Sequence, residues 1–325
     1  MNKVSEFRVP SELVPRREDH AYDLDKALAS IVTVKTKIPK DAFTAGILGT
    51  ERSGNGVLIQ NDGLILTIGY LIAEAKDVWL ISAEGKTLAG HVVGYDYDTG
   101  FGLVQALGDL GLPTSQLSDS KAEVSEKELV LGGCGGLSYA VQVAVSERKA
   151  FTGYWEYVLD DAIYTTPAHP NWGGAALFDH KGNVSGIGSL FVDDISRQQP
   201  GRQGNLCVPT ELLTPVLTEI YQYGQKLSPA RPWLGFFVSM IDNQFLVVGA
   251  YEEGPASKAG LKVGDYIEKV AGSTPADLGH FFKSIWEEGP AGSEIPLSIR
   301  RGANRFEVIV ESANRMSLWK SPQLH

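Results

Sequence analysis

The strongest constraint on the fold of this chain is a succession of short apolar or β-branched runs, each followed by turn residues. Residues 56–59 and 64–67 flank Asn61-Asp62-Gly63, and similar runs recur at 141–145 and 163–166. An Asp-Gly pair between two such runs favours a tight hairpin, because glycine readily adopts the left-handed turn conformation. Short strands at close spacing are typical of a sandwich or barrel. The sequence therefore predicts mainly β-structure up to about residue 210.

Length and composition agree with this interpretation and exclude several classes of protein. The 325 residues suffice for about two domains. The 36 glycines make up about 11% of the 325 residues, above the usual share of about 7%. The net charge of −10, with Lys and Arg clustered only in pairs, argues against nucleic-acid binding. Uninterrupted apolar stretches stay shorter than about 18 residues, so we expect no membrane span.

The cysteines and the N-terminal region carry weaker information. Cys134 and Cys207 are too few for a disulfide framework, although they leave one disulfide open. Together with the six histidines they form no metal-ligand spacing, and we expect no metal and no cofactor. The N-terminal residues lack the apolar segment of a secretory signal. This predicts a cytoplasmic location, or a periplasmic one if a leader has been removed.

Changes in pattern divide the chain into five parts. Helical spacing at 209–223 closes the β-rich region, and a stretch with two prolines and no periodicity follows it. Beyond that stretch, strands alternate with two helical segments, the longer at about 277–287. The predicted parts are an arm (1–22), a β-rich block (23–224), a linker (225–232), a second block (233–312) and a tail (313–325).

The second block contains an ordered set of motifs. The string EEGPASKAGLKVGDYIEKVAG (252–272) is followed by a helical pattern and then by GPAGSEIPLSIRRG (289–302). This order resembles a PDZ domain of the bacterial HtrA/DegP protease kind. The resemblance implies a small α+β barrel with a groove between a strand and a helix. An extended peptide adds to the strand there, and backbone N–H groups hold its terminal carboxylate.

The resemblance also assigns candidate residues to this groove. The carboxylate-binding loop would begin at Trp233, and Gly235 would let the backbone approach the ligand closely. For the two candidates on the helix, core packing is the alternative interpretation. The expected partner is a peptide or protein C-terminus with an apolar last side chain. The candidate peptide-binding residues are Leu234, Gly235, Phe236, Phe237, Phe281 and Ile285.

The first block resembles the trypsin-like protease domain of the same family. The strings concerned are SGNGVLIQNDGLILT (53–67), GYDYDTGFGLVQA (94–106) and HPNWGGAALFDHKGNVSGIG (169–188). The resemblance implies a chymotrypsin-like double β-barrel, mainly β in class, followed by a single PDZ domain.

The catalytic positions of that family are changed in this chain. Acyl transfer to serine needs a hydroxyl nucleophile, an imidazole base and a carboxylate that orients the base. The resemblance aligns Tyr70 with the histidine, Gly100 with the aspartate and Gly173 with the serine, or Trp172 if the alignment shifts by one residue. Asp98, two positions from Gly100, would lie about 7 Å away along a strand. The chain is therefore predicted to be a pseudoprotease with no catalytic triad.

A rearranged site needs another imidazole, and His169, four residues before Gly173, is the best candidate. We favour its interpretation as a loop or capping histidine. Likewise, we expect Tyr70 and Trp172 to fill the vacated cleft, although a ligand-binding cleft is the alternative.

Three functions stay open at this point. The favoured one is a non-catalytic peptide-binding protein whose protease-fold body is a scaffold. The alternatives are an active serine-type endopeptidase with a rearranged site and a regulatory subunit of an HtrA-like oligomer. The resemblance implies trimers, as homo-oligomers or hetero-oligomers with HtrA-like proteases, for which Phe7 and Tyr22 are available aromatic residues.

Overall fold

The computed structural model describes residues 9–119, 121–123, 126–193 and 201–320. The chain separates into two compact units, which are described one at a time below. The first unit contains the described residues up to Lys149, together with Asp161–Lys226 and Lys320. The second contains Ala150–Asp160 and Leu227–Trp319. The division thus differs from the predicted one at Ala150–Asp160, which the sequence places inside the first block.

The first unit contains two closed antiparallel barrels, each built from six strands of the described chain. In the first barrel the order is β1-β2-β3-β6-β5-β4. The predicted turn at Gly63, with φ at +96°, joins β2 to β3. Both faces of β3 are covered, and all its residues are buried. The strands are β1 (Ile31–Lys37), β2 (Glu51–Leu58), β3 (Leu64–Ile68), β4 (Asp77–Ser82), β5 (Thr87–Tyr95) and β6 (Phe101–Ala106).

The second barrel has the order β10-β11-β12-β9-β8-β7. Its core contains Leu131, Val143, Leu177 and Cys207, all buried. Cys207 is thus a core residue, as its apolar strand predicts. The strands are β7 (Leu129–Gly132), β8 (Ala140–Gly153), β9 (Tyr157–Thr166), β10 (Ala176–Phe178), β11 (Val184–Val192) and β12 (Gly204–Pro209).

Short helices complete the first unit. The helix predicted at 209–223 is divided into a 3-10 turn, Thr210–Leu212, and an α-helix. Pro215 lies between them; it lacks an N–H donor and disfavours helical geometry at the preceding residue. The α-helices are α1 (Leu24–Ala29), α2 (Ala45–Leu48) and α3 (Leu217–Tyr223).

The second unit is a five-stranded antiparallel sheet, in the order β13-β14-β15-β16-β17, with two helices. The longer helix begins where the Asp277 side chain accepts a hydrogen bond from the His280 N–H at 2.8 Å. Its apolar face buries Phe281, Phe282 and Ile285 in the core of the unit. The elements are β13 (Phe236–Ile241), β14 (Gln244–Ala250), α4 (Pro255–Lys258), β15 (Tyr266–Val270), α5 (Leu278–Glu287), β16 (Glu294–Arg301) and β17 (Asn304–Glu311). The predicted fold class, a mainly β double barrel followed by a small α+β barrel, is confirmed.

The remaining piece of the second unit is Ala150–Asp160, called here the 150–160 hairpin. It contains the end of β8, a turn and the start of β9. The turn includes Glu156, whose φ is +60°. Left-handed backbone is uncommon for a residue with a side chain, so contacts elsewhere must hold this conformation.

Candidate functional site

Two of the three positions that the resemblance aligns with the catalytic triad face each other in the first unit. Tyr70 lies in the 3-10 turn after β3, and Gly173 lies in the loop before β10. A methyl group on Gly173 would lie 2.8 Å from the Tyr70 hydroxyl. That hydroxyl donates a hydrogen bond to the Ser189 carbonyl oxygen at 2.9 Å. Burial raises the pKa of Tyr70 above its ordinary value. The protonated phenol therefore occupies the space that a side chain at position 173 would need.

The third position, Gly100, lies in a turn before β6 with φ at +87°. The nearest carboxylates in sequence are engaged within the same unit. Asp98 Oδ2 is 2.8 Å from Lys226 Nζ. Asp96 is buried and accepts a hydrogen bond from Thr99 Oγ1 at 2.6 Å, and burial raises its pKa.

His169 is almost completely buried, and both of its ring nitrogens contact the backbone. Nδ1 accepts a hydrogen bond from the Asn171 N–H at 3.0 Å. Nε2 lies 2.9 Å from the Tyr139 carbonyl oxygen, so it carries the proton and donates. Burial lowers the pKa of the imidazole. His169 therefore acts as a loop histidine in this structure, with no ring nitrogen directed at a hydroxyl.

The Asn171 N–H also bears on transition-state stabilisation. In trypsin-like enzymes the oxyanion hole uses the N–H of the nucleophile position and that of the residue two before it. If Gly173 is aligned with the nucleophile, those groups in this chain would belong to Gly173 and Asn171. The Asn171 N–H is directed at His169 instead. One of the two donors is thus already used.

Asn55 on β2 fixes the loop around Gly173. Its backbone N–H donates to the Gly173 carbonyl oxygen at 2.7 Å, and its side-chain amide donates to the Asn171 carbonyl oxygen at 2.9 Å. Gly174 has φ at +75°, and a methyl group there would lie 1.9 Å from the Asn55 carbonyl oxygen. The loop therefore has a tightly constrained backbone, although it carries no nucleophile at position 173.

Trp172 and the two cysteines of the first unit do not supply a replacement nucleophile. Trp172 packs against Phe191, with 5.5 Å between ring centroids. Cys134 and Cys207 are both free thiols. Burial raises the pKa of Cys134 above its ordinary value and that of Cys207 to about 12. A thiol with a raised pKa is a poor nucleophile at neutral pH.

The second unit has a different kind of site. The backbone N–H groups of Leu234, Gly235 and Phe236 converge on one carboxylate, that of Glu156 in the 150–160 hairpin. Leu234 N lies 2.9 Å from Oε2, while Gly235 N and Phe236 N lie 2.7 and 3.2 Å from Oε1. Gly235 has φ at +76°, which turns the loop so that successive N–H groups converge. The loop predicted to bind a carboxylate thus binds one from its own chain.

Glu156 is buried, and its environment exerts two opposed effects on ionisation. Burial raises the pKa of Glu156 to about 7, while the three N–H donors act in the opposite direction. The hydrogen bonds from the loop partly compensate for removing the carboxylate from water.

Two further contacts join the 150–160 hairpin to the groove. Val238 on β13 donates its N–H to the Tyr154 carbonyl oxygen at 3.0 Å, and β13 is an edge strand of its sheet. The Tyr154 ring lies edge-on to Phe237, with 5.8 Å between centroids. Val158 is buried in the same cluster as Phe236 and the face of α5.

The structure places the predicted peptide-binding residues in two environments. The side chains of Leu234, Phe236, Phe281 and Ile285 are fully buried in the core cluster, while Phe237 is half-buried against Tyr154 and Tyr251. The contacts of the loop with the carboxylate come from its backbone. Three further groups, which the sequence did not predict, contact the groove: Tyr154, Glu156 and Val158.

The remaining predictions concern assembly, metals and membranes. Phe7 lies outside the described residues, and Tyr22 packs closely on Gly182 within the first unit. In the described part of the chain, the structure contains no cluster of three or more His, Cys, Asp or Glu residues suited to a metal ion. It also contains, within the same ranges, no helix that is both long and apolar enough to cross a membrane.

Comparison with known proteins identifies two kinds of domain along the chain. A trypsin-like peptidase domain model matches residues 54–187, and a PDZ domain model matches residues 232–311. A probable periplasmic serine endoprotease DegP-like from Pseudomonas putida (strain W619) is 28% identical over 273 residues, which cover 78% of this chain and 54% of that protein. A protein of the same description from Halomonas elongata is 25% identical over 275 residues, 79% of this chain and 55% of its own. The chain thus spans about half the length of these curated relatives.

Solved structures show the same fold. The serine endoprotease from Yersinia pestis has a TM-score of 0.51 and 20% identity, covering 89% of this chain and 95% of its own. The HtrA-type protease AlgW with decapeptide has a TM-score of 0.53 and 20% identity, covering 90% of this chain and 97% of its own. At these identities the likeness is one of fold.

Proposed function

We propose that this chain, which resembles the HtrA/DegP-like proteases in its trypsin-like peptidase domain and its one PDZ domain, is a catalytically inactive member that binds peptide C-termini. The observation that carries the proposal is the contrast between two loops. The loop around Gly173 has no nucleophile at that position, whereas the loop at 234–236 directs three N–H groups at a carboxylate.

Several contacts support the loss of catalysis. The Tyr70 hydroxyl is adjacent to position 173, where a serine side chain would have to stand. His169 uses both ring nitrogens on the backbone, and the N–H of Asn171 is directed at its ring. Base, nucleophile and one oxyanion donor are thus all lost or used elsewhere. Removal of one such donor alone reduces the rate of acyl transfer by about 100-fold or more.

The peptide-binding part of the proposal rests on backbone geometry. Peptide C-termini are recognised by loops whose backbone N–H groups donate hydrogen bonds to the terminal carboxylate. The edge strand β13 offers the adjacent main-chain groups, and the buried cluster around Phe281 offers an apolar environment. The expected ligand is an extended segment that ends in a carboxylate and carries an apolar side chain.

Location and assembly belong to the same proposal. The curated relatives are named as periplasmic, and we propose the periplasm for this chain rather than the cytoplasm that its N-terminal region predicts. A trimer, or an assembly with an active HtrA-like relative, is the form in which a non-catalytic subunit would act beside proteolysis.

Proteolysis is the direct test of inactivity. Purified protein is incubated with casein, and new peptide termini are counted by mass spectrometry beside a serine-directed fluorophosphonate probe. We expect the wild type and a Gly173→Ala variant, in which the added methyl meets the Tyr70 hydroxyl, to give the same background. Cleavage or labelling by the wild type that Gly173→Ala abolishes would refute inactivity, and His169→Ala would then identify the base.

A further inference from the structure

The ligand-binding loop of the second unit is filled by a segment of the same chain. The Glu156 carboxylate accepts hydrogen bonds from three successive N–H groups, at 2.9, 2.7 and 3.2 Å. These groups are 78 to 80 residues away in sequence, so the contact is a docking event and not a local turn. Glu156 is buried, with 4% of its surface exposed, and its carboxylate occupies all three donors, so a second carboxylate cannot bind them at the same time.

The 150–160 hairpin supplies three features that an extended peptide would bring to the groove. Its Glu156 side chain provides the carboxylate. Its Tyr154 carbonyl oxygen accepts the N–H of Val238 on the edge strand β13. Its Val158 side chain enters the buried cluster that contains Phe281. Charge, main-chain pairing and an apolar side chain therefore come from a single segment.

The backbone of the hairpin indicates that this docking is specific. Glu156 has φ at +60°, a conformation that a residue with a side chain adopts only where its surroundings hold it. The Arg315 guanidinium donates to the Trp155 carbonyl oxygen at 3.2 Å, and Lys283 on α5 pairs with Asp160. Contacts on both sides of Glu156 thus fix the turn that presents its carboxylate.

We propose that the 150–160 hairpin is a built-in ligand of the PDZ groove, so that a peptide C-terminus binds only after Glu156 has left the loop at 234–236. This inference rests on the proposed function of the groove as a site for peptide C-termini. It adds that the groove is self-inhibited. The observed affinity for a peptide then equals the intrinsic affinity multiplied by the fraction of molecules in which the hairpin is undocked.

The test compares peptide binding by the full chain and two variants. The probe is a pool of decapeptides with free C-termini and four randomised last positions, beside the same pool with amidated C-termini. Each immobilised protein is exposed to both pools, and retained peptides are identified by mass spectrometry. The most retained peptide is then labelled with fluorescein and titrated by fluorescence anisotropy.

Glu156→Ala removes the internal carboxylate, and Glu311→Ala is the matched control, since it removes an exposed carboxylate from β17, at the other edge of the sheet from β13. We expect Glu156→Ala to bind the labelled peptide at least about tenfold more tightly than the wild type. The reason is that at most about one wild-type molecule in ten would have its hairpin undocked. Glu311→Ala should bind as the wild type does. Equal affinity of the wild type and Glu156→Ala would overturn self-inhibition while leaving C-terminal recognition intact.

Failure of the underlying function gives a different result. If none of the three proteins retains free-carboxylate peptides better than amidated ones, C-terminal recognition itself is wrong. A second measurement avoids dependence on the folding of Glu156→Ala. Hydrogen exchange is followed on the wild type with and without saturating peptide. Displacement requires the amides of the 150–160 hairpin to exchange faster when peptide is bound, and unchanged protection in the presence of bound peptide would overturn the proposal.

Discussion

The loop around Gly173 and the loop at 234–236 differ in what their chemistry depends on. The first needs particular side chains for acyl transfer, and the triad-equivalent positions near it hold Tyr70 and Gly100 instead. The second needs only a backbone turned so that successive N–H groups converge, which Gly235 at φ +76° allows. Substitutions of side chains can therefore abolish the chemistry of the first loop while leaving that of the second intact.

The same comparison extends to what fills each loop. Near Gly173, the space is taken by residues from adjacent elements of the same barrels, such as Tyr70 and His169, within a tightly constrained backbone. At 234–236, the donors are satisfied by a hairpin that is distant in sequence. A local filling persists as long as the barrel is folded, whereas a docked hairpin can exchange with a competitor. Three changes to the protein test this difference between the two loops, from the largest expected effect to the smallest.

Distorting the loop around Gly173 should give the largest effect. A methyl group on Gly174 would lie 1.9 Å from the Asn55 carbonyl oxygen, at a φ of +75°. Gly174→Ala should therefore lower the free energy of unfolding by about 4 kcal/mol, because backbone must move to relieve the overlap. Denaturant unfolding followed by fluorescence measures this change.

Gly136→Ala is the matched control for that variant. Gly136 also has a positive φ, of +73°, but no heavy atom of the described chain would lie within 4 Å of the added methyl. The expected cost is about 1 kcal/mol, from backbone conformation alone. Equal costs for the two variants would mean that the loop around Gly173 is not rigid. That loop would then not differ from the loop at 234–236 in being permanently filled.

The second effect is a pH dependence of peptide binding. With Glu156 docked, burial raises the pKa of its carboxyl from an ordinary value of 4.5 to about 7. The docked state therefore holds its proton more tightly than the released state, and protonation favours docking. Docking is strongest below pH 4.5 and weakens as the pH rises toward 7, by about 3 kcal/mol in total. Peptide affinity of the wild type should accordingly increase between pH 5 and pH 8, by up to about 100-fold.

Neighbouring charges must be separated from this effect. Asp160 and Lys283 pair with each other, Arg315 contacts the Trp155 carbonyl oxygen, and His280 lies on α5. Glu156→Gln should remove the pH dependence, whereas His280→Gln should leave it unchanged. Anisotropy titrations at pH 5, 6, 7 and 8 decide this. A pH dependence that persists in Glu156→Gln would assign it to another group.

The two units also differ in how much the sequence could predict. The turn at Gly63 and the helix that begins after Asp277 depend on local signals, and both lie where predicted. The helix at 209–223 was only half predicted, since Pro215 divides it. Short-range rules capture such features because their causes are a few residues away.

The 150–160 hairpin was not predictable in the same way. Strands were expected at 141–145 and 163–166. In the structure β8 extends further, to Gly153, and β9 begins earlier, at Tyr157. The docking of Glu156 depends on a loop that begins 78 residues later, and the residues around Glu156 give no indication of that contact. One available signal was the aromatic run around Trp155, since large rings in a turn require a surface to cover them. The residues aligned with the triad are predictions from the sequence resemblance alone. The hydrogen bond from the Asn171 N–H to the His169 ring depends on the folded loop and was not predictable.

The smallest effect concerns how the vacated position near Gly173 is filled. Tyr70→Phe keeps the ring and removes only the hydrogen bond to the Ser189 carbonyl oxygen. We expect a loss of about 1 kcal/mol in the free energy of unfolding and no proteolysis, because packing of the ring still fills the cleft. Tyr223→Phe is the control, since Tyr223 is 59% exposed, and its variant should stay within about 0.5 kcal/mol of the wild type. If Tyr70→Phe instead became labelled by a fluorophosphonate, the hydroxyl alone would be holding a competent site closed. The loop around Gly173 would then be reversibly blocked, as is proposed for the loop at 234–236, and the difference between the two regions would disappear.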